Sequence, residues 1–196
     1  MSRVLIVPGL HNSGPDHWQT EWEKRLPCSH RIEIADWSMP DLNAWVSAIE
    51  RAIARFAPTH IVAHSFGTLA TAVIAAQRNT NLQEILLVAP ADPDKFDLRK
   101  RLPSSPLSVP GVLIGSLSDP WLSWSGAQAL GEQWGLQIEC AGDAGHINAE
   151  SGHGEWPKGW SILQCVLQEH TKNLDYQKTP HAYFQLIRQH FHQTKV

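Results

Sequence analysis

Residues 59–74, THIVAHSFGTLATAVI, constrain the fold of this chain more than any other stretch. Residues 60–63 form a short apolar run with two β-branched side chains, which is typical of a strand covered on both faces. Residues 67–77 are rich in Ala, Leu and Thr, a composition that lets a helix pack close against a sheet. Because only three residues separate these runs, the sequence predicts a strand, a sharp turn and a helix, with Ser65 at the tip.

The pentapeptide AHSFG at residues 63–67 is a variant of the G-x-S-x-G nucleophile elbow. Such a turn needs small residues two positions before and after the serine. Gly67 meets this need, and Ala63 meets it with one additional methyl group. The Ser65 hydroxyl would then lie at the carboxyl edge of the sheet and at a helix N-terminus, which favours developing negative charge. The alternative is a serine that caps the helix of an ordinary βα unit.

Length and composition narrow the class of protein. A chain of 196 residues predicts one domain with a substantial core. The formal net charge of −3 and the lack of a Lys/Arg cluster give no reason to expect nucleic acid or an anionic membrane surface as a partner. The three cysteines, Cys28, Cys140 and Cys165, form no C-x-x-C pair, which favours a reducing compartment.

Several classes of site and segment have no support in the sequence. The N-terminal apolar run is too short for a signal peptide, and no run approaches about 20 apolar residues. No H-E-x-x-H motif and no Gly-rich phosphate loop is present, so we expect neither a metal nor a cofactor. The expectation is a soluble, cytoplasmic protein.

Apolar runs and helical spacing alternate along the chain. Strands are predicted at residues 3–7, 31–35, 60–63, 84–88, 109–115 and 136–140, each followed by a loop or helix. This alternation predicts a three-layer α/β fold, with about six parallel strands between helices and with a minimal lid or none. Residues 1–170 would form this domain. Residues 171–196 would add an amphipathic helix at 175–192, packed on the same domain or on a second subunit of a homodimer.

Three loops at predicted strand ends carry the residues that a serine nucleophile requires. Ser65 follows the third strand, Asp119 the fifth and His146 the sixth. A serine needs a base within hydrogen-bond reach, and the base needs an acid to orient it. The chain order Ser, Asp, His is that of α/β-hydrolases. Taken singly, Asp119 could be a helix cap and His146 a surface residue, whereas His64 is expected to point away from the nucleophile.

The loop after the first strand is rich in Gly, Pro and polar residues and should lie beside the elbow. It predicts an oxyanion hole in which the backbone N–H of Leu10 or His11 acts together with that of Phe66. The alternative is a plain βα turn in which Asp16 or Ser13 caps the next helix.

Aromatic side chains fall on or near several loops of the same edge. The residues predicted to wall a small apolar acyl pocket are His11, Trp18, Trp37, Trp121 and Trp156. The alternative is that several of these tryptophans pack the loops down onto the body of the protein.

Five segments together, PGLHNSGPDHW, AHSFG, LLVAPAD, SDPW and GHINAESGHGEWPKG, resemble the small serine hydrolases related to retinoblastoma-binding protein 9. The resemblance covers residue 3 to about residue 170. It implies a compact, essentially lidless α/β-hydrolase with Ser65, Asp119 and His146 as the triad and esterase-type activity on small acyl substrates. Binding to a retinoblastoma-type pocket would need L-x-C-x-E. Residues 163–167, LQCVL, lack the Glu, so that partner is not expected.

The resulting hypothesis is acyl transfer to water through an acyl-enzyme. Two rival hypotheses remain at this point. One is a non-catalytic interaction protein that keeps the hydrolase scaffold. The other is an acyltransferase that passes the acyl group to a small alcohol or amine. The lack of an insertion long enough for a large lid favours a shallow site and short acyl groups.

Overall fold

The computed structural model describes residues 2–78 and 80–169. Within them, parallel strands alternate with helices as the sequence predicts. The strands are β1 (Val4–Val7), β2 (Ser29–Arg31), β3 (His60–Ser65), β4 (Glu84–Pro90), β5 (Gly111–Gly115) and β6 (Gln137–Cys140). The helices are α1 (Trp18–Arg25), α2 (Leu42–Phe56), α3 (Phe66–Ala75), α4 (Trp124–Trp134) and α5 (Pro157–Glu169).

The strands form one sheet in the order β2-β1-β3-β4-β5-β6, and every neighbouring pair is parallel. All strands therefore end at the same edge, where the loops after β1, β3, β5 and β6 meet. The topological switch point lies between β1 and β3, since the chain moves outward in opposite directions from there. This edge is where ligands bind in open α/β sheets.

Alternating side chains of the central strands enter two separate cores. Leu5 and Val7 pack with apolar residues of α2, α3 and α4 on one face of the sheet. Val4 and Ile6 pack with residues of α1 and α5 on the other face. Both faces are covered, which explains the near-continuous apolar runs of the strands. The fold is a three-layer α/β-hydrolase fold.

Two segments differ from the sequence expectation. The second strand was expected at residues 31–35, but β2 pairs with β1 through Ser29–Arg31. The apolar alternation of Ile32 and Ile34 suggested a strand that lies further along the chain. In the structure the Ile32 N–H donates to Ile6 O, and the chain leaves the sheet beyond this residue. The charged, Pro/Ser-rich sequence of residues 94–108 predicts an excursion with one helical turn, whereas the chain between β4 and β5 has two 3₁₀ turns, Pro93–Phe96 and Arg99–Arg101.

Two expectations concern the end of the chain and membranes. The predicted extension at 171–196, including the helix at 175–192, lies outside the described residues. Among residues 2–78 and 80–169, no helix is long and apolar enough to cross a membrane. Leu163 and Val166, which belong to the incomplete L-x-C-x-E match, are buried in the core on α5.

Candidate active site

The turn between β3 and α3 is strained at its tip. Ser65 has φ 52° and ψ −124°, a backbone conformation that non-glycine residues rarely adopt. The pairing of β3 with β4 shifts between His64 and Ser65, so the strand ends at the serine. The Ser65 carbonyl accepts hydrogen bonds from Thr68 Oγ1 at 2.7 Å and from Ala91 N at 3.3 Å. These contacts hold the turn in place and present the Ser65 side chain at the sheet edge.

Close backbone packing explains the glycines around this turn. A Cβ on Gly67 would lie 2.5 Å from Pro8 O and 2.6 Å from Val7 O. A Cβ on Gly9 would lie 2.7 Å from the Ser65 Cβ. The end of β1 therefore presses against the elbow from two sides. Any side chain larger than hydrogen at either position would push the two segments apart.

Ser65, His146 and Asp119 are joined by a continuous chain of hydrogen bonds. His146 Nε2 lies 2.9 Å from Ser65 Oγ. His146 Nδ1 lies 3.0 Å from Asp119 Oδ1 and 2.9 Å from Oδ2. A carboxylate only accepts, so Nδ1 carries the proton and Nε2 accepts from the serine hydroxyl. The His146 and Asp119 side chains are 9% and 2% exposed, respectively, which removes most competing water. The structure thus brings the three predicted residues together.

A buried serine ties the loop of the acid to the loop of the base. Ser116, 1% exposed, donates to Gly142 O at 3.1 Å and accepts from Ala144 N at 3.0 Å. Ser118 Oγ accepts from Gly145 N at 3.1 Å. These bonds connect the segment before Asp119 with the segment before His146. The relative position of acid and base is therefore fixed by side chains that the motif pattern did not single out.

His64 supports the base from behind, a role that the sequence analysis missed. Its Nε2–H donates to His146 O at 2.9 Å, and the two imidazole rings lie 4.9 Å apart. Burial, followed by the nearby His17 and His146, holds the pKa of His64 well below its ordinary value. Strand alternation was the available signal. Val62 enters the α1/α5 core, so residue 64 faces the same side, where the His146 loop lies.

His17 continues this group of histidines and caps a helix. Its ring packs edge-on against His64 at 4.9 Å. Burial, followed by the charge of Arg31, lowers the pKa of His17 to about 3. His17 Nδ1 accepts from Gln19 N at 3.1 Å, so His17 is the N-cap of α1. The alternative in which Asp16 or Ser13 caps this helix is therefore wrong, because the neutral His17 imidazole supplies the acceptor.

The loop after β1 offers only one of the two expected oxyanion donors. The His11 N–H is already engaged, since it donates to Trp37 O at 2.8 Å. Leu10, next to the Gly9 that contacts the elbow, remains as the partner of Phe66, the first residue of α3. This hydrogen bond to the β2–α2 loop, which the sequence pattern does not show, excludes the His11 N–H and leaves that of Leu10 as the candidate donor.

Two of the expected pocket residues are core residues. Trp18 is fully buried, and its Nε1–H donates to Ile147 O at 2.7 Å. Trp156, 7% exposed, packs against Trp18 at 5.2 Å and stacks on Trp22 at 5.5 Å. Because they lie beneath the loop that carries His146, they hold that loop down and do not wall an open pocket.

The other expected pocket residues lie at the surface. Trp37 is half-buried and packs edge-on against Trp45 at 5.6 Å. His11 is exposed. Trp121 is 56% exposed, and its ring centroid lies 6.4 Å from that of His146. Trp121 is therefore the one predicted tryptophan that combines an open indole face with a ring contact to the base.

The described surface also has a groove away from these residues. The groove, about 280 Å³, lies between β2 and α2, with His30, Arg51 and Phe56 in its wall. None of its lining residues belongs to the serine–histidine–aspartate chain. We therefore assign the functional site from the hydrogen bonds of that chain and not from the groove. Within residues 2–78 and 80–169, no group of three or more His, Cys, Asp or Glu side chains could hold a metal ion.

Comparison with known families agrees with this geometry. The family model described as serine hydrolase matches residues 4–165. The chain belongs to the serine hydrolase family. A crystal structure of a YdeN-like hydrolase from Pectobacterium atrosepticum is 38% identical, with a TM-score of 0.80, over 83% of this chain and 89% of that one. No curated protein matches the sequence significantly.

More distant structures share the fold of this serine hydrolase. The ydeN gene product of B. subtilis is 20% identical, with a TM-score of 0.74, over 86% of this chain and 100% of that one. Est1E from Butyrivibrio proteoclasticus, solved with ferulic acid bound, is 12% identical, with a TM-score of 0.68, over 88% of this chain and 90% of that one. The relation to retinoblastoma-binding protein 9 stays a prediction.

Proposed function

We propose that this serine hydrolase cleaves esters of small acyl groups through an acyl-enzyme on Ser65. The observation that carries the proposal is the Asp119–His146–Ser65 chain, with 2.9 Å between His146 Nε2 and Ser65 Oγ. It joins a nucleophile to a base and the base to an orienting acid, as nucleophilic catalysis by serine requires.

In the first step, Ser65 Oγ attacks the ester carbonyl carbon while its proton moves to His146 Nε2. Asp119 holds the ring through Nδ1–H and stabilises the imidazolium that forms. The carboxylate can do this effectively because it is almost completely shielded from water. The strained backbone at Ser65 keeps the hydroxyl at the end of the strand, so little reorganisation precedes attack.

The carbonyl oxygen becomes an oxyanion in the tetrahedral intermediate. We assign its stabilisation to the backbone N–H groups of Phe66 and Leu10. Phe66 begins α3, so its N–H lies at the positive end of the helix. Leu10 follows Gly9, whose missing side chain allows the β1 loop to approach Ser65 and Phe66 closely.

Collapse of the intermediate breaks the bond between the carbonyl carbon and the leaving oxygen. His146 Nε2 returns the proton to that oxygen, the alcohol departs, and the acyl group stays on Ser65. Water then enters, gives a proton to the same Nε2 and attacks the acyl carbon. The second collapse releases the acid and restores the serine hydroxyl.

The loops around the site favour short acyl groups. Between β4 and β5 the described chain has only two 3₁₀ turns and no α-helix that would form a deep lid over Ser65. Hydrolysis by these residues requires no metal or cofactor. We therefore infer a small acyl ester as the substrate. From the net charge of −3 and the sequence pattern we further propose a cytoplasmic site of action and no nucleic-acid or membrane partner.

Intact mass after treatment with a fluorophosphonate tests the proposal. We expect one adduct on the wild type, none on Ser65→Ala, and labelling slowed by several orders of magnitude in His146→Ala. Ser38→Ala, at an exposed serine of the β2–α2 loop, is the matched control and should label like the wild type. A folded wild type that forms no adduct would contradict the proposal and favour a binding protein on a hydrolase scaffold.

A further inference from the structure

The loop that carries Asp119 also carries two large apolar side chains on its surface. Among the described residues, the large hydrophobic side chains that stand open to solvent are Met39, Leu117 and Trp121, at 58%, 54% and 56% exposure. Exposing an indole forfeits the free energy of its burial, because Trp has one of the largest apolar surfaces of any residue. Trp121 lies two residues from the acid of the proposed triad.

Hydrogen bonds to its backbone N–H and to its carbonyl oxygen hold Trp121 in place. Its N–H donates to Asp119 Oδ1 at 2.9 Å, and its carbonyl accepts from Lys95 Nζ at 2.6 Å. The Lys95 ammonium also lies 5.3 Å from the centre of the indole ring. The Trp121 backbone is thus fixed by the same carboxylate that orients His146. The open indole is therefore a positioned surface of the site, ready before a substrate arrives.

The chemistry of acylation decides which part of a substrate meets this surface. His146 Nε2 must reach the leaving oxygen, since it delivers the proton there. The alcohol portion of an ester therefore starts beside the His146 ring. The Trp121 ring centroid lies 6.4 Å from the His146 centroid, at an interplanar angle of 71°. A ring attached one or two carbons beyond the leaving oxygen would then lie near enough to Trp121 to form an aromatic pair, which needs about 4.5–7 Å between ring centroids.

We propose that Trp121 forms a leaving-group subsite that selects esters of alcohols bearing an aromatic ring. This inference rests on the proposed function and adds the class of the alcohol to it. In the selected reaction, the bond between the acyl carbon and the alcohol oxygen breaks and the proton on His146 Nε2 passes to that oxygen. The aromatic alcohol then departs across the indole face. The acyl group, held on Ser65, lies away from Trp121.

A pair of acetate esters tests the subsite. 2-Phenylethyl acetate and ethyl acetate share the acyl group and have primary alcohols of similar acidity, but only the first carries a ring. We expect Trp121→Ala to lower the ratio of kcat/KM for the phenylethyl ester over the ethyl ester by about five- to tenfold, the contribution of one aromatic contact. Trp121→Phe should keep most of the ratio. Met39→Ala removes an equally exposed side chain from another loop and should leave the ratio unchanged.

Two outcomes would contradict the proposed leaving-group subsite. One is a ratio that does not change in Trp121→Ala. Another is a variant whose selectivity changes instead along a series of ethyl esters with lengthening acyl chains, which would place Trp121 on the acyl side. Labelling of the wild type by a fluorophosphonate separates these results from failure of the proposed function. Its fluoride leaving group is too small to reach the indole, so an unlabelled wild type would refute the hydrolase mechanism itself.

Discussion

The two halves of the site are held in place by different physics. The proposed nucleophile, Ser65, lies on a backbone turn that is fixed by steric contact, with the end of β1 packed against Gly67 and with Gly9 packed against Ser65. The proposed acid and base, Asp119 and His146, lie on two loops that are joined through side chains, chiefly the Ser116 hydroxyl. The turn is rigid because its backbone atoms are in steric contact with the end of β1. The two loops are rigid because hydrogen bonds join them.

This difference has a consequence for mutations. A change in the elbow alters the packing of β1, β3 and α3, so stability and activity should fall together. A change in the chemistry of the acid leaves the packing intact, so activity should fall alone. The following changes test whether the two halves are separable in this way.

Asp119→Asn should produce the largest effect on activity. An amide no longer stabilises the imidazolium and favours the wrong His146 tautomer, so kcat should fall by about 10⁴-fold, as in other serine triads. The retained Oδ1 can still accept from Trp121 N, so the midpoint of thermal unfolding should change little. Ester hydrolysis and thermal unfolding measure the two quantities. Asp143→Asn, on the exposed part of the neighbouring loop, is the control. Equal loss of stability and activity would remove the distinction between the halves.

Gly67→Ala should lower stability and activity together. The new methyl would lie 2.5 Å from Pro8 O, a backbone atom that cannot move without displacing β1. Overpacking of this kind costs about 1–3 kcal/mol of unfolding free energy. Denaturant unfolding and fluorophosphonate labelling measure the two effects. Gly14→Ala, in the loop after β1, places its Cβ where no atom lies within 4 Å and should change neither. A variant that lost only activity would contradict the steric account of the elbow.

His64→Leu tests a residue that belongs to both halves, because it lies on β3 and donates to His146 O. Its loss leaves a buried carbonyl without this donor and lets His146 shift. We expect kcat to fall about tenfold with little change in KM, which corresponds to about 1.4 kcal/mol. His64→Gln, whose amide can donate, should recover part of kcat. A fall in stability with wild-type kcat would show that His64 is only structural.

His17→Asn should have the smallest effect on activity, and should change only the pH dependence of stability. The pKa of His17 is about 3 in the folded protein, below the unfolded value near 6.5. As the pH falls below about 6.5, the unfolded chain binds the proton first. The stabilisation by neutral His17 is thus present above this pH and is lost progressively towards pH 3.

Unfolding free energies between pH 6 and pH 4 measure the contribution of His17. The wild-type slope should exceed that of His17→Asn by up to about 1.4 kcal/mol per pH unit, the value for one proton. Asn can still accept from Gln19 N, so the cap of α1 is kept. His30→Asn, on the exposed side of the edge strand, is the matched control. Identical slopes in wild type and His17→Asn would contradict the buried neutral state of His17.

The sequence alone determined the three-layer fold and the residues of the proposed triad. Short apolar runs, the AHSFG turn and polar residues after successive strands are local patterns. Parallel strands then bring their carboxyl ends to one edge of the sheet, whatever the strand order and the exact strand bounds. The order Ser65, Asp119, His146 could be read for the same reason, since Ser65 ends β3 and the other two residues lie in the loops that follow β5 and β6.

Tertiary structure alone decided how the site is supported. The exclusion of the His11 N–H as an oxyanion donor depends on its hydrogen bond to Trp37 O, and the burial of Trp18 and Trp156 depends on the loop that covers them. His64 meets His146 across 82 residues of sequence. Contacts of this kind have no periodicity along the chain, because they join loops whose relative positions are set only when the sheet is assembled. A motif therefore identifies the proposed reacting groups. Tertiary packing decides which neighbouring residues hold these groups in place and which ones contact the substrate.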